Sequence, residues 1–226
     1  MTFTMNKTSD ALAELADDAA TLARLHDREL DAATIAALCE IGFPDNLALL
    51  PQGDPARGAW AAMRAAVPPE PSFSDIEALA VEYAAVYLTG AYNVSPCESF
   101  WLDEDHLHCQ QPMFALREVY AAAGLAAPDW RKRPDDHLVL QLQYIAHALR
   151  RSLALPSVEA STLGVRRLKP AAANLARMMD EHLLRGLPDF AARLGQRAEL
   201  PFYAALAHLT LAWCNALHRL LKQQQP

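Results

Sequence analysis

Arg131-Lys132-Arg133-Pro134-Asp135-Asp136-His137 runs directly into Leu138-Val139-Leu140-Gln141-Leu142, and this passage decides the fold. Pro134 biases the residue before it away from helix, and Asp135 or Asp136 is a candidate N-cap. Leu138, Leu142, Ile145 and Leu149 then recur at three- and four-residue intervals, which predicts a helix with one buried face. The passage therefore sets two carboxylates and a histidine at a helix mouth, where backbone N–H groups lack partners and negative charge is favoured. Asp-Asp-His reads equally as a simple capping turn.

The same punctuation recurs outward from this point. Ser9 predicts the start of a helix reaching Leu30 after a loose tail at 1–7, with Leu12, Leu15, Ala19, Leu22 and Leu25 on one face. A short helix around Thr34–Ile41 ends at Gly42 and Pro44. Residues Leu50 to Arg57 read as loop, a second short helix carries Trp60 and Met63, and Pro68-Pro69-Glu70-Pro71 forms a stiff linker. Ser74-Asp75-Ile76-Glu77 predicts a capping box opening a helix with Leu79, Tyr83, Tyr87 and Leu88, stopped by Gly90. Further helices are expected at Met113–Ala123, Leu138–Leu153, Ala171–Leu184 and Leu200–Leu221. Pro156 ends the third pattern and Ser157 can begin a turn. Residues 163–170 read as a basic connector, Gly186 and Pro188 bound a link, and Lys222–Gln225 frays. With few β-branched residues and no sustained alternation, the chain is expected to be all-α: one helical-bundle-like domain over 1–226, with two lobes as an option.

Composition narrows the function. Apolar residues make up 52 % and charged ones 21 %, so the chain is expected to bury a substantial core. The net charge of −7 argues against nucleic acid as partner. Residues 1–113 hold 18 acidic and 5 basic side chains, net −13, whereas 114–226 hold 9 and 15, net +6. Such a dipole steers a basic partner to the front half, or serves packing between the halves. No secretory signal precedes the first helix, and Leu200–Leu217 is interrupted by His208, Thr210 and Asn215, so no stable membrane insertion is expected and the protein reads as cytoplasmic. His208 reads as a core or boundary histidine. Cys39, Cys97, Cys109 and Cys214 form no C-x-x-C pair and read as reduced, mostly buried thiols.

Residues 90–112 are the one long passage expected to be irregular, and connections of that length are usually functional. The passage carries Glu98, Trp101, Asp103, Glu104, Asp105, His106 and His108. Carboxylates and imidazoles are metal ligands, but no helix-borne pair completes a site, and a surface loop anchored by Trp101 is the alternative. No permanently held cofactor or metal is expected. Asp135, Asp136, His137 and Glu98 also suit acid–base chemistry, yet no nucleophile elbow or phosphate-binding loop accompanies them, so the chain does not read as an enzyme.

The order of these features resembles the TorD/DmsD family of redox-enzyme maturation chaperones, to which the NarJ group is related. Similarity runs through Glu82-Tyr83-Ala84-Ala85-Val86-Tyr87-Leu88-Thr89-Gly90, Pro96-Cys97-Glu98-Ser99, Met113 to Gly124 with Arg117 and Tyr120, Pro134-Asp135-Asp136-His137-Leu138, Glu181-His182, Pro188-Asp189-Phe190 and Phe202-Tyr203. It covers most of 75–215, making about 74–221 the family-like core and about 1–70 the variable part. Cys97 stands where the family has an aromatic residue, and Gly186 stands where many members have tryptophan. The resemblance implies a TorD-like helical fold and binding of the twin-arginine signal peptide of an apo-molybdoenzyme, delaying its export until the cofactor is inserted. Asp136, with Glu98 on the facing loop, would take the arginines, His137 would position Asp136 or meet the peptide backbone, and Asp135 and Pro134 would belong to the same peptide-binding site. Trp101, Tyr87, Leu88 and Tyr144 would line the apolar part. A helical adaptor of an oxidoreductase complex and, behind it, a hydrolase using Asp136 and His137 are the alternatives. The Pro-rich stretches at 51–55 and 68–71 allow either a monomer or a domain-swapped homodimer.

Overall fold

The computed structural model describes residues 3–49, 51–154 and 163–223, with the side chains of 3–9, 153–154 and 163–170 outside that description. Ten helices follow in order: α1 Phe3–Asp27, α2 Ala32–Glu40, α3 Asp54–Ala66, α4 Phe73–Tyr83, α5 Glu98–Leu102, α6 Gln111–Ala122, α7 Leu138–Ala154, α8 Leu163–Met178, α9 Leu184–Arg197 and α10 Pro201–Gln223. Two π-turns, Ala84–Leu88 after α4 and Met179–Leu183 between α8 and α9, complete them. Among the described residues there is no sheet, only an isolated antiparallel bridge between Cys97 and His137. The domain is a single all-α bundle in which α1 lies on α7, and α10 lies between α3 and α9.

One apolar cluster runs from Leu15 on α1 to Leu221 on α10. Its centre is α10, whose Phe202, Tyr203, Leu206, Leu209, Trp213 and Leu217 are all buried. Polar groups taken into this core are costly unless partnered, and long-range contacts supply several of the partners. Asp18 of α1 accepts from the Trp213 indole at 2.9 Å and from the Ala48 backbone at 2.9 Å. His26 joins Tyr87 Oη at 2.6 Å to Thr210 Oγ1 at 2.9 Å. Glu82 Oε1 accepts from the backbone N–H groups of Glu199 and Leu200, both at 2.7 Å, just before α10 begins.

Several expected boundaries move, each for a local reason. Helix α1 already runs from Phe3, because no proline or glycine interrupts it before Ser9. Asp54–Arg57 is helix and not loop, since Pro55 falls in the first turn, where its missing N–H costs nothing. The capping box is built by Ser72 and Asp75, two residues earlier than expected: Asp75 N–H donates to Ser72 Oγ at 3.2 Å, and Ser72 N–H donates to Asp75 at 2.8 Å. The 90–112 passage is not wholly irregular, for it contains α5 and the start of α6. The basic connector at 163–170 is helical backbone within α8. Gly186 and Pro188 lie inside α9, not in a link; the π-turn ahead of it resets the hydrogen-bond ladder before Pro188 is reached. Pro156 and Ser157 fall outside the described residues. Of the four free cysteines, Cys97 and Cys214 are buried, Cys109 is half-buried and Cys39 is exposed.

Candidate functional site

The Pro134–His137 passage is a buried junction that ties α5, α6 and α7 together. Pro134 C=O accepts from His137 N–H at 3.0 Å, closing a turn. Leu138 N–H then donates to Pro96 C=O at 2.8 Å, and Glu98 N–H donates to Asp136 C=O at 3.1 Å. The two strands of backbone thus zip across the Cys97–His137 bridge and place the mouth of α5 beside the mouth of α7.

The adjacent aspartates serve different helices. Asp136 has no exposed surface, and its Oδ2 accepts the backbone N–H and hydroxyl of Ser99 at 2.7 and 2.5 Å, so it caps α5 from another part of the chain. Asp135, 1 % exposed, accepts from Arg117 of α6 at 2.8 Å, and its carbonyl accepts from the Tyr120 hydroxyl at 2.9 Å. Neither aspartate is the N-cap of α7. That role falls to His137, whose Nδ1 accepts from Val139 N–H at 3.1 Å. Burial, then the nearby Arg133 charge, lowers the His137 pKa to about 3, which keeps the ring neutral and able to accept. Arg133 itself reaches Asp27 at 2.5 Å and fastens the passage to the end of α1.

Glu98, 3 % exposed, opens α5 and meets His182 of the second π-turn, Nδ1 to Oε2, at 3.2 Å. Burial, followed by the negative charges of Asp135, Asp136 and Glu98, holds the Tyr120 phenol well above its ordinary pKa. Burial and the Asp136 charge likewise raise the Cys97 thiol. Three carboxylates are thereby gathered in one buried region with Arg117 and His182 as their charged or chargeable neighbours.

The expected apolar residues divide. Trp101 is half-buried, donates its indole N–H to Ser95 C=O at 2.7 Å, and lines a small cavity with Glu98, Gln141 and Phe190. Tyr87 packs against Phe190, ring centroids 6.4 Å apart, and Leu88 at the π-turn's end is 65 % exposed. Tyr144 packs against Tyr120, ring centroids 5.4 Å apart and tilted by 39°. His106 stacks on Phe100 at 4.6 Å and contacts the Phe100 carbonyl at 2.8 Å. Among the described residues no three His, Cys, Asp or Glu side chains converge as a metal site. His208 is exposed on α10.

Ser99, Gln141 and Gly186 were not singled out as site residues from sequence. Gln141 carried a signal: it is polar at a position facing the buried side of α7, three residues after Leu138. Its Nε2 donates to Asp136 C=O at 2.9 Å. Gly186 lets α9 lie directly on α5, because a Cβ there would stand 3.2 Å from Glu98 Cα and 3.3 Å from Trp101. The tryptophan common at this position in the resembling family has no room here.

Residues 52–192 match the family described as Nitrate reductase delta subunit. Curated relatives include Chaperone protein TorD of Vibrio parahaemolyticus, 26 % identical over 138 residues and covering 61 % of each chain. Chaperone protein TorD of Vibrio cholerae is 29 % identical over 136 residues, covering 60 % of this chain and 58 % of its own. The chain thus matches about three-fifths of the length of these relatives. The family match spans more than half of the sequence and the whole carboxylate junction, and the chain belongs to the nitrate reductase delta subunit family.

Proposed function

We propose that this member of the nitrate reductase delta subunit family is a cytoplasmic chaperone of the TorD/DmsD type. It binds the N-terminal twin-arginine signal of an apo-molybdoenzyme and delays export until the cofactor is inserted. The observation that supports the reading is Glu98 in a small cavity beside the half-buried Trp101 ring and an apolar wall, with the buried Asp135 and Asp136 carboxylates at the adjoining junction. A segment that joins two arginines to an apolar stretch is matched by acceptors of that kind beside such a wall.

Within this reading Glu98 and Trp101 meet the basic part, and Tyr87, Leu88 and Tyr144 contribute apolar surface. Asp136, Asp135, His137 and Pro134 hold those elements in register and supply the negative field. The acidic front half, net −13, steers a basic partner toward the protein. Among the described residues no helix is long and apolar enough to cross a membrane.

The adaptor reading has one observation in its favour, since the family description is that of a reductase subunit. Capture of native partners separates the two: an unprocessed oxidoreductase with its signal attached supports the chaperone, and a stable complex of mature subunits supports the adaptor. Against the hydrolase reading, Asp136 and His137 are both buried, with Asp136 Oδ2 holding Ser99 and His137 Nδ1 the mouth of α7.

A further inference from the structure

Among the described residues three buried acceptor oxygens at the carboxylate junction have no donor: Asp136 Oδ1, and Oε1 of Glu98 and of Gln141. Glu98 and Gln141 are 3 % and 2 % exposed, and Oε1 of each lacks a hydrogen-bond partner. Their other polar atoms are engaged, Glu98 Oε2 by His182 and Gln141 Nε2 by the Asp136 carbonyl. The Asp136 carbonyl also decides the amide's orientation, since a flipped Gln141 would set oxygen against oxygen. Both side chains line the same cavity of about 10 Å³, walled by Trp101, Leu138, Leu187 and Phe190. Buried acceptors are rarely left unpaired, and this volume corresponds to about one water or one amino group. The Arg193 guanidinium sits 5.8 Å from the Trp101 ring centroid and donates to Asn93 C=O at 3.4 Å. One face of Trp101 therefore already receives a guanidinium.

We propose that Glu98 and Gln141 form the inner end of an arginine subsite, which rests on the signal-binding reading above. One water fills it in the free chain. In the complex the leading amino group of one signal arginine replaces that water and donates to both oxygens, and the rest of its guanidinium displaces Arg193 from Trp101. Gln141 is the residue that sets arginine above lysine: a planar amino group shared between two acceptors and stacked on an indole uses both contacts. A strongly hydrated ammonium has no face to stack, so nothing holds it across both acceptors; it meets the carboxylate alone and leaves the Gln141 contact unused.

The test titrates the full chain with a synthetic peptide of Arg-Arg followed by an alternating Leu/Ala stretch, and with its Lys-Lys counterpart. The wild type is expected to prefer Arg-Arg by about tenfold, Gln141→Leu to lose that preference, and Arg193→Ala to bind Arg-Arg several-fold tighter. Thermal melts accompany each titration, and Gln141→Met serves as the milder variant if Gln141→Leu unfolds. A preference kept by both Gln141 variants overturns the subsite and leaves the signal-binding reading standing. No binding of either peptide to wild type or Arg193→Ala sinks both. A crystal structure of the free chain at atomic resolution is an independent readout: a water bridging Glu98 and Gln141 supports the subsite, and a dry cavity overturns it.

Discussion

Ser99 and Asp136 share one carboxylate oxygen across 37 residues of chain: the Ser99 backbone N–H and hydroxyl both donate to Asp136 Oδ2, at 2.7 and 2.5 Å. Ser99 Oγ in turn accepts from Gln110 N–H at 3.1 Å, just ahead of α6. A helix of five residues has too few internal bonds to hold itself together, so α5 keeps its place through this external cap.

Asp136→Ala should therefore act on the fold before it acts on any ligand. Loss of two charge-assisted bonds inside the protein predicts a destabilisation of about 2–3 kcal/mol, whereas Asn, which keeps an acceptor, should cost about 1 kcal/mol. Denaturant titration measures both. An Asp136→Ala protein as stable as wild type would show that α5 is held by something else.

Asp135 and Arg117 form the second anchor, with the carboxylate buried and the guanidinium about a third exposed between Phe114 and Trp130. Arg117→Ala leaves a buried charge without its partner and should cost about 2–3 kcal/mol, softened by water reaching the exposed side. Combining it with Asp135→Asn should recover part of that loss. Strict additivity in the double-mutant cycle would mean that the two side chains are not coupled.

His26 and His137 both have pKa values lowered by burial to about 3, against an ordinary 6.5. Their folded values lie below the unfolded ones, so their contribution is fully present above pH 6.5 and is lost as pH falls toward 3. In that window stability should drop by about 1.4 kcal/mol per pH unit for each histidine. Asp18 and Glu82, whose carboxyls burial pushes upward, work in the opposite direction at the acidic end. His137→Asn can still cap α7 but cannot titrate, so a pH series of unfolding midpoints should show a shallower slope. An unchanged slope would mean that His137 takes up its proton without unfolding.

The glycines of α9 should answer oppositely to alanine. At Gly186 a Cβ would press on Glu98 backbone at 3.2 Å, which cannot yield without moving α5; Gly186→Ala should destabilise by about 1 kcal/mol despite better helix propensity. At Gly195 the crowding atom is the His208 ring nitrogen at 2.8 Å, the far end of an exposed side chain that can swing away. Gly195→Ala should stabilise by up to about 1 kcal/mol. Equal shifts in melting temperature would contradict this difference.

Much of the fold was legible because helix period and stop signals are local. Leu138, Leu142, Ile145 and Leu149 announced α7, and Gly42, Gly90 and Gly124 do stop chain segments, each with positive φ. The boundaries that moved are those where a local signal had competitors. The capping box expected at Ser74 is built by Ser72, which reaches the same helix start from two residues earlier, and Gly186 and Pro188 look like punctuation until a preceding π-turn carries them into a helix.

By itself the sequence determined the helical class, the acidic front half, and the grouping of Asp135, Asp136 and His137 ahead of α7. It could not determine which atoms those side chains would serve, because capping, ion pairing and binding ask for the same residue types. Only the tertiary structure sent Asp136 to Ser99, Asp135 to Arg117 and His137 to the mouth of α7. It alone brought Gln141, one turn along α7 from His137, beside Glu98 in one cavity. The physical reason is burial: once a polar atom leaves water, its partner is whatever the folded chain places within about 3 Å, and that geometry is not written in residue spacing.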